Sequence, residues 1–324
     1  MADLPDLATL EAAAALVHGV VPPTPQYRWP LLSRRVGAEI WVKHENHTPI
    51  GAFKVRGGIV YLDDLRRSQP EIRGVVTATT GNHGQSIAYS ASALGLAATI
   101  VVPEGNNPGK NRAMRGFGAT LVETGHDFQA AYEHAATLAE RDNLHFVRSF
   151  HPLLVRGVAS YALELFRAGP DLDTVYVPVG LGSGICGVIA AREALALKTE
   201  VVGVVAENAP TYALSFAAGR PVPTNHADTL AEGLAVRVPD AEALAIILMH
   251  AARIVIVSDA EIRHAASALF ADTRNLAEGA SAAPLAAALQ ERARLQGKRV
   301  ALIQSGGNTE RTLLAELLSD TDAA

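Results

Sequence analysis

Apolar and polar residues alternate along this chain with two different periods, and the switches between them mark out its elements. Residues 7–18 (Leu-Ala-Thr-Leu-Glu-Ala-Ala-Ala-Ala-Leu-Val-His) are alanine-rich with apolar positions on one face, which predicts a helix. Pro22, Pro23 and Pro25 then force an extended segment. Residues 37–43 alternate as a strand does, and residues 56–66 return to helical spacing. From Gly74 a unit repeats in kind: strand 74–78 and helix 85–94, strand 98–103 and helix around 109–117, strand 119–123 and helix 127–141. A helix near 154–168 leads to strand 174–179, an alanine-rich helix, and strand 200–206. That last strand is an unbroken apolar run, as suits a parallel sheet covered on both sides. Residues 209–230 read as loop. Strand 254–257 precedes a helix from Asp259, and strand 298–304 precedes one more helix. Such alternation predicts an α/β fold with parallel sheets. The strand at 74 and the break near 150 divide it into a large domain (1–73 and 151–324) and a smaller inserted one (74–150).

At 324 residues the chain has room for about two domains. Apolar residues at 49% against 19% charged provide a sizeable core. A net charge of −5 without a basic block argues against a nucleic-acid partner. A single cysteine, Cys186, rules out an internal disulfide and fits a reducing cytosol. Met-Ala-Asp-Leu-Pro lacks the basic start of a signal peptide, and no apolar run is long enough to span a membrane. A soluble cytoplasmic protein acting on a small molecule is the expectation.

Candidate chemistry centres on Lys54, within His47-Thr-Pro-Ile-Gly-Ala-Phe-Lys-Val-Arg-Gly-Gly58. Phe53 and Val55 flank it, so its ammonium loses hydration and its neutral, nucleophilic form gains. Neutral lysine amines form Schiff bases with carbonyls, the aldehyde of pyridoxal phosphate among them. The bland alternative is a lysine lying along a helix face with its charge in water.

Three further loops, each between a strand and a helix, supply what such a cofactor needs. Gly180-Leu181-Gly182-Ser183-Gly184 would bring backbone N–H groups and a helix N-terminus to an anion, most simply a phosphate. Gly182–Gly187 also spells a dinucleotide fingerprint, with Glu207 twenty residues on as a ribose-binding acid. In isolation that favours a nicotinamide or flavin enzyme. The loop Thr79-Thr80-Gly81-Asn82-His83-Gly84 offers N–H groups and two hydroxyls to a carboxylate, and Asn82 offers an amide to a phenolic oxygen. His83 is either a general base or a residue that orders the turn. Ser305-Gly-Gly-Asn308 ends the last strand, where a hydroxyl can bond a pyridine nitrogen without forcing its protonation. Ligands of open parallel sheets sit beyond the carboxyl ends of the strands, so the three loops belong on one edge.

Together these motifs resemble the fold-type II pyridoxal-phosphate enzymes, in the threonine/serine dehydratase and serine racemase branch. The resemblance runs from about Pro25 to Asn308 and implies a tryptophan synthase β-like fold of two open parallel-sheet domains with helices on both faces. Phe53-Lys54-Val55-Arg56-Gly57 matches the family's Phe-Lys-x-Arg-Gly, making Lys54 the Schiff-base lysine and Phe53 its neighbour at the ring. Gly81-Asn82-His83-Gly84 matches the substrate-carboxylate loop, Val177–Gly184 the phosphate loop, Ser305–Asn308 the pyridine-nitrogen motif, and Glu278-Gly-Ala-Ser281 a stretch bordering the site. These ordered matches override the dinucleotide reading. The cofactor implied is pyridoxal 5'-phosphate, and the assembly a homodimer.

Departures sharpen the expectation. Ala52 replaces a common serine, and Thr80 stands where serine racemases carry the serine that protonates the second face of the carbanion, so racemisation is disfavoured. Glu207 aligns with a divalent-metal ligand of some relatives, but Ala213 stands where the family has an acid, and no metal is expected. Gly157-Val-Ala-Ser160, where relatives often read Gly-Gln-Gly-Thr, hints at a divergent subgroup, phenylserine dehydratase-like or hydroxyectoine-utilisation dehydratase-like. Sixteen residues after Asn308 leave no room for a regulatory domain, the pattern of a short, catabolic type. The resemblance implies elimination of water from threonine, serine or a bulkier analogue such as phenylserine. Lys54 takes the α-proton, Thr80 and Ser305 assist, and the cofactor phosphate on Gly180, Gly182, Ser183 and Gly184 protonates the leaving hydroxyl. Rival readings are a β-replacement synthase, a racemase, a nicotinamide oxidoreductase and a non-catalytic amino-acid binder; only the pyridoxal enzymes would be yellow and bleached by borohydride.

Overall fold

The computed structural model describes residues 4–319; residues 1–3, part of the stretch read for a signal peptide, and 320–324 lie outside the described residues. The elements run α1 (Leu7–His18), β1 (Gln26–Arg28), α2 (Pro30–Val36), β2 (Glu39–His44), α3 (Lys54–Ser68), β3 (Gly74–Ala78), α4 (Asn82–Ala93), β4 (Ala97–Val102) and α5 (Pro108–Gly116). They continue with β5 (Thr120–Glu123), α6 (Phe128–Arg141), β6 (His145–Phe146), α7 (Pro152–Ala168), β7 (Thr174–Pro178), α8 (Ser183–Ala194), β8 (Glu200–Ala206) and α9 (Thr211–Ala218). The rest are α10 (Ala241–His250), β9 (Arg253–Val257), α11 (Asp259–Thr273), α12 (Gly279–Gln290), α13 (Arg292–Leu295), β10 (Arg299–Gln304) and α14 (Arg311–Ser319). The fold is α/β, as the alternation predicts.

Two sheets carry the strands. The larger has the order β1-β2-β10-β7-β8-β9, parallel except for β1; the smaller, β5-β4-β3-β6, is parallel throughout. Side chains of a strand alternate between faces, and here both faces are apolar. Ile40, Val42, Val202, Val204, Val300 and Leu302 pack against α2, α11 and α12, whereas Val175, Val177, Val201, Val205, Ala301 and Ile303 pack against α1, α7, α8 and α10. The smaller sheet is sandwiched likewise: Val75, Ile100 and Val102 meet α3, α4 and α5, while Val76, Ala78 and Val101 meet α6. Two sheets covered on both sides leave the carboxyl ends of their strands as the place where loops gather.

Several elements escape the periodicity. The stretch read as loop over 209–230 contains α9, whose Thr211, Tyr212 and Ser215 are buried; Pro210 before it and Pro221 and Pro223 after it make the segment look irregular. Pro30 opens α2 at its first turn, where a missing N–H costs nothing, and was masked by the proline-rich approach. Pro284 lies inside α12, buried with its neighbours against the larger sheet, so tertiary packing overrides its helix-breaking tendency. The helix expected from Arg56 starts two residues earlier, making Lys54 the first residue of α3.

Candidate active site

The loops after β3, β7 and β10 and the loop leading into α3 converge on one cleft of about 880 Å³ between the two sheets. That volume lies in the range of clefts that enclose cofactor-sized ligands. Of the residues singled out from the sequence, these face it: Phe53 and Lys54; Thr79, Thr80, Gly81, Asn82 and His83; Gly180, Leu181, Gly182, Ser183 and Gly184; Glu278; and Ser305. Glu207, the acid a dinucleotide would need, is exposed and absent from the lining. Asn308 joins the cleft, while Gly306 and Gly307 stitch its floor from behind.

Lys54 is presented by a short bridge to the end of β10. Phe53 N donates to Ser305 O (3.0 Å), Gly307 N to Gly51 O (2.9 Å), and Ala52 pairs with Gly306. Thr48 Oγ1 closes the preceding turn, donating to Ala52 O (2.8 Å) and accepting from Ala52 N (2.9 Å). The amine itself hangs 5.5 Å from the Phe53 ring centroid and forms no hydrogen bond among the described residues. Burial draws its pKa from 10.5 down to about 8, with Glu278 opposing the shift. Phe53 in turn meets Tyr161 edge-on (6.1 Å between centroids), and Tyr161 Oη donates to Gly184 O (3.2 Å), which couples the lysine loop to the glycine loop.

The glycine loop joins β7 to α8. Gly182 has φ of 100°, a conformation that side-chain-bearing residues rarely adopt, and a Cβ on Gly180 would stand 2.2 Å from Gly233 O. No side chain caps α8, so its first N–H groups are left to a ligand. Such an arrangement can cradle an anion.

On the facing side, the turn before α4 is closed by Thr79 Oγ1, which accepts from Gly81 N (3.0 Å) and Gly84 N (3.3 Å). That oxygen is therefore committed to the turn, and the loop's remaining N–H groups with Thr80 are what a carboxylate would meet. Asn82 Nδ2 donates to Glu278 Oε1 (2.8 Å) and Asn82 Oδ1 accepts from Asn308 Nδ2 (2.8 Å), leaving one amide hydrogen for the cleft. Burial pushes the Glu278 carboxyl above the usual carboxylate range. Ser305 Oγ sits 3.0 Å from Ser281 Oγ, which also bonds both N and O of Gly306 (2.6 and 2.5 Å). A serine held this way is a neutral partner for a pyridine nitrogen.

Pyridoxal phosphate fits this donor set: a weakened amine without a partner for the aldehyde, an uncapped helix N-terminus with a glycine cradle for the phosphate, an amide hydrogen for the ring oxygen and a hydroxyl for the ring nitrogen. Sequence reasoning missed Lys110 and Glu232, which form an ion pair across the mouth of the cleft, and Gly233, which backs the cradle. Lys110 and Glu232 are far apart in the chain, and neither lies in a readable motif.

Comparison with known proteins agrees with the geometry. The family model described as "Pyridoxal-phosphate dependent enzyme" matches residues 17–306. An L-threonine ammonia-lyase of Geobacter sulfurreducens is 37% identical over 280 residues, 86% of this chain and 69% of that protein. A catabolic L-threonine dehydratase of Staphylococcus aureus is 30% identical over 322 residues, 98% of this chain and 93% of that one. The processed form of threonine deaminase isoform 2 from Solanum lycopersicum superposes with a TM-score of 0.89 at 29% identity, covering 99% of this chain and 94% of its own. The chain belongs to the pyridoxal-phosphate-dependent enzymes, in the fold-type II branch of threonine/serine dehydratases and serine racemases, and is a lyase of the dehydratase type.

Proposed function

We propose that this enzyme eliminates water from a 3-hydroxy amino acid, threonine first among them, and releases a 2-oxo acid and ammonia. The observation that carries the reading is the Lys54 amine, deep in the cleft, unpartnered and with its pKa drawn down to about 8, opposite a glycine cradle. Relatives named for threonine deamination support the choice of substrate. Bound pyridoxal phosphate supplies an aldehyde for amines and a conjugated ring that takes up the electron pair left at Cα.

The chain's own residues do the rest. Lys54, neutral in a growing fraction of molecules as pH rises through about 8, removes the α-proton as general base. Backbone N–H groups of Thr80 to His83 hold the substrate carboxylate and fix the Cα–H bond toward Lys54. The amides of Gly180, Leu181, Gly182, Ser183 and Gly184, at the positive end of α8, hold the phosphate. Asn82 and Ser305 fix the ring by its oxygen and nitrogen, and Phe53 closes against its face. The Ser305 hydroxyl would meet the ring nitrogen as a neutral partner that does not force its protonation, and the glycine cradle would hold the phosphate where it supplies the proton that the leaving β-hydroxyl needs to depart as water. Thr80, with a methyl on the carbon bearing its hydroxyl, is a hindered proton donor for the opposite face, so elimination outruns racemisation.

The same proposal takes residues 1–73 with 151–324 as a large domain and 74–150 as a smaller one; all four strands of the second sheet fall between Gly74 and Phe146. Assembly as a cytoplasmic homodimer is part of it, on the family resemblance; no described helix is long and apolar enough to cross a membrane. The test is 2-oxo acid release from a panel of L-threonine, L-serine, both diastereomers of phenylserine and 3-hydroxyaspartate. Release from threonine or another panel member supports the reading; a yellow, cofactor-loaded protein that releases oxo acid from none of them overturns it.

A further inference from the structure

The cleft wall holds one polar atom for which the roles above have no use. His83 lies in the first turn of α4, 6% exposed, and its Nε2 is buried without a hydrogen-bond partner. Buried side-chain nitrogens are rarely left unmet, so an orphan on a binding surface awaits a partner that comes and goes. The ring does not order the turn, because Thr79 Oγ1 does that. Nor is it loose: its ring faces the backbone of Val147, just past β6, whose carbonyl accepts from Thr77 Oγ1 (2.7 Å). A neutral imidazole has a single N–H, and with that N–H given to a backbone carbonyl the Nε2 is a lone pair and nothing else.

A lone pair of this kind turns away a carboxylate oxygen and takes only a donor. The substrate carboxylate is thus left to the backbone N–H groups of the loop. The donor at hand is Lys54, which lines the same cleft and whose carbonyl accepts from Ser86 Oγ (2.6 Å), three residues past His83 on α4. Lys54 Nζ has no acceptor among the described residues, so the same cleft is lined by a cation without an acceptor and by an acceptor without a donor. We propose that His83 is a positioning residue whose Nε2 receives the hydrogen bond of the Lys54 ammonium whenever that amine carries a proton, holding it on the substrate side of the cleft. The proposal rests on the reading of Lys54 as the base. The histidine stays a neutral acceptor through the working range, since burial first and the Lys54 charge second bring its own pKa to about 3. Glu278, at the start of α12, is the other charged group facing Lys54; Lys110 beyond it is paired with Glu232.

The experiment needs no substrate. In cofactor-free protein, the rate of Lys54 acetylation by dilute acetic anhydride is followed from pH 6 to 11 by mass spectrometry of its peptide. The parent should label with a midpoint above the value of about 8 that burial and Glu278 set without this bond. His83→Leu, which keeps bulk and removes the acceptor, should lower the midpoint by roughly one unit, a tenfold change in the protonation equilibrium. His83→Gln, which keeps an acceptor, should stay within a few tenths of the parent. A His83→Leu midpoint equal to the parent's or higher overturns the proposal, as does a His83→Gln midpoint that falls as far as that of His83→Leu. Should His83→Leu not fold, a crystal of the cofactor-free parent at pH 6 decides: Nζ within about 3.2 Å of Nε2 is expected, and Nζ turned elsewhere overturns it. Because neither arm involves turnover, failure here leaves the dehydratase reading standing, and a silent oxo acid assay leaves this one standing.

Discussion

Two cations two residues apart in the first turn of α3 are treated in opposite ways. Arg56 is fully buried and bonded on every side: Nε to Glu45 (2.7 Å), Nη1 to Glu164 (2.6 Å) and Ser160 (3.0 Å), Nη2 to Glu45 (3.0 Å) and Glu164 (3.2 Å). Lys43 and Thr24 complete the group, Lys43 Nζ reaching Glu164 at 2.5 Å and Thr24 O at 2.8 Å. Paired this way, the Arg56 guanidinium has its pKa raised even though burial works against it. Lys54 points the other way, into the cleft, with no carboxylate in contact and its pKa lowered. One helical turn thus separates an anchor from a reactive group. A saturated charge fixes the helix start to α7, β2 and the Thr24 segment, and an unsaturated one keeps its free energy for the ligand.

This contrast can be broken at either end. Lys54→Ala should lower oxo acid release at least about 10³-fold, since it removes the general base together with the cofactor's attachment, while the far-UV circular dichroism stays that of the parent. Arg56→Leu should do the reverse, leaving the buried Glu45 carboxylate without a cation and Glu164 to Lys43 and His18 alone, at a cost of about 3–5 kcal/mol in denaturant unfolding. If Arg56→Leu proves as stable as the parent, the anchor reading fails. Gly180→Ala drives a Cβ into Gly233 O and should weaken both packing and phosphate binding by about 1–3 kcal/mol, read as a rise in the cofactor dissociation constant. Glu278→Gln is the mildest. Glu278 raises the Lys54 pKa, so the amide variant should move the labelling midpoint of Lys54 down by a few tenths of a unit, and an upward shift would contradict the assignment.

Much of this was legible in the linear pattern, for reasons that differ by region. Strands such as β3 and β8 are short apolar runs bounded by turn residues, and their limits read almost to the residue. The glycine loops could be placed on one edge because parallel strands all end on the same side. Lys54 was conspicuous because a lysine between Phe53 and Val55 breaks the local pattern. What stayed hidden was set by distant partners. Arg56 was legible only as a member of a motif at a helix start; its role as an anchor depends on Glu45 at the end of β2 and Glu164 on α7 being brought to it. Lys110 and Glu232 meet only once the two sheets face one another. The role of the Ser281 hydroxyl, which binds Gly306 at both its N and O, depends on α12 lying beside β10. His83 invited either of two readings, because the hydrogen bonds by which Thr79 closes the turn are not visible in the linear pattern.

The chain contains Lys43, Lys54, Lys110, Lys198 and Lys298, and the central claim concerns which of these bonds the cofactor. Borohydride reduction of the cofactor-loaded protein, followed by proteolysis and peptide mass spectrometry, answers it directly. The added mass of reduced pyridoxal phosphate should fall on the peptide that contains Lys54 and on no other. Its appearance on Lys110, the other cleft lysine, or its absence from all five would contradict the account.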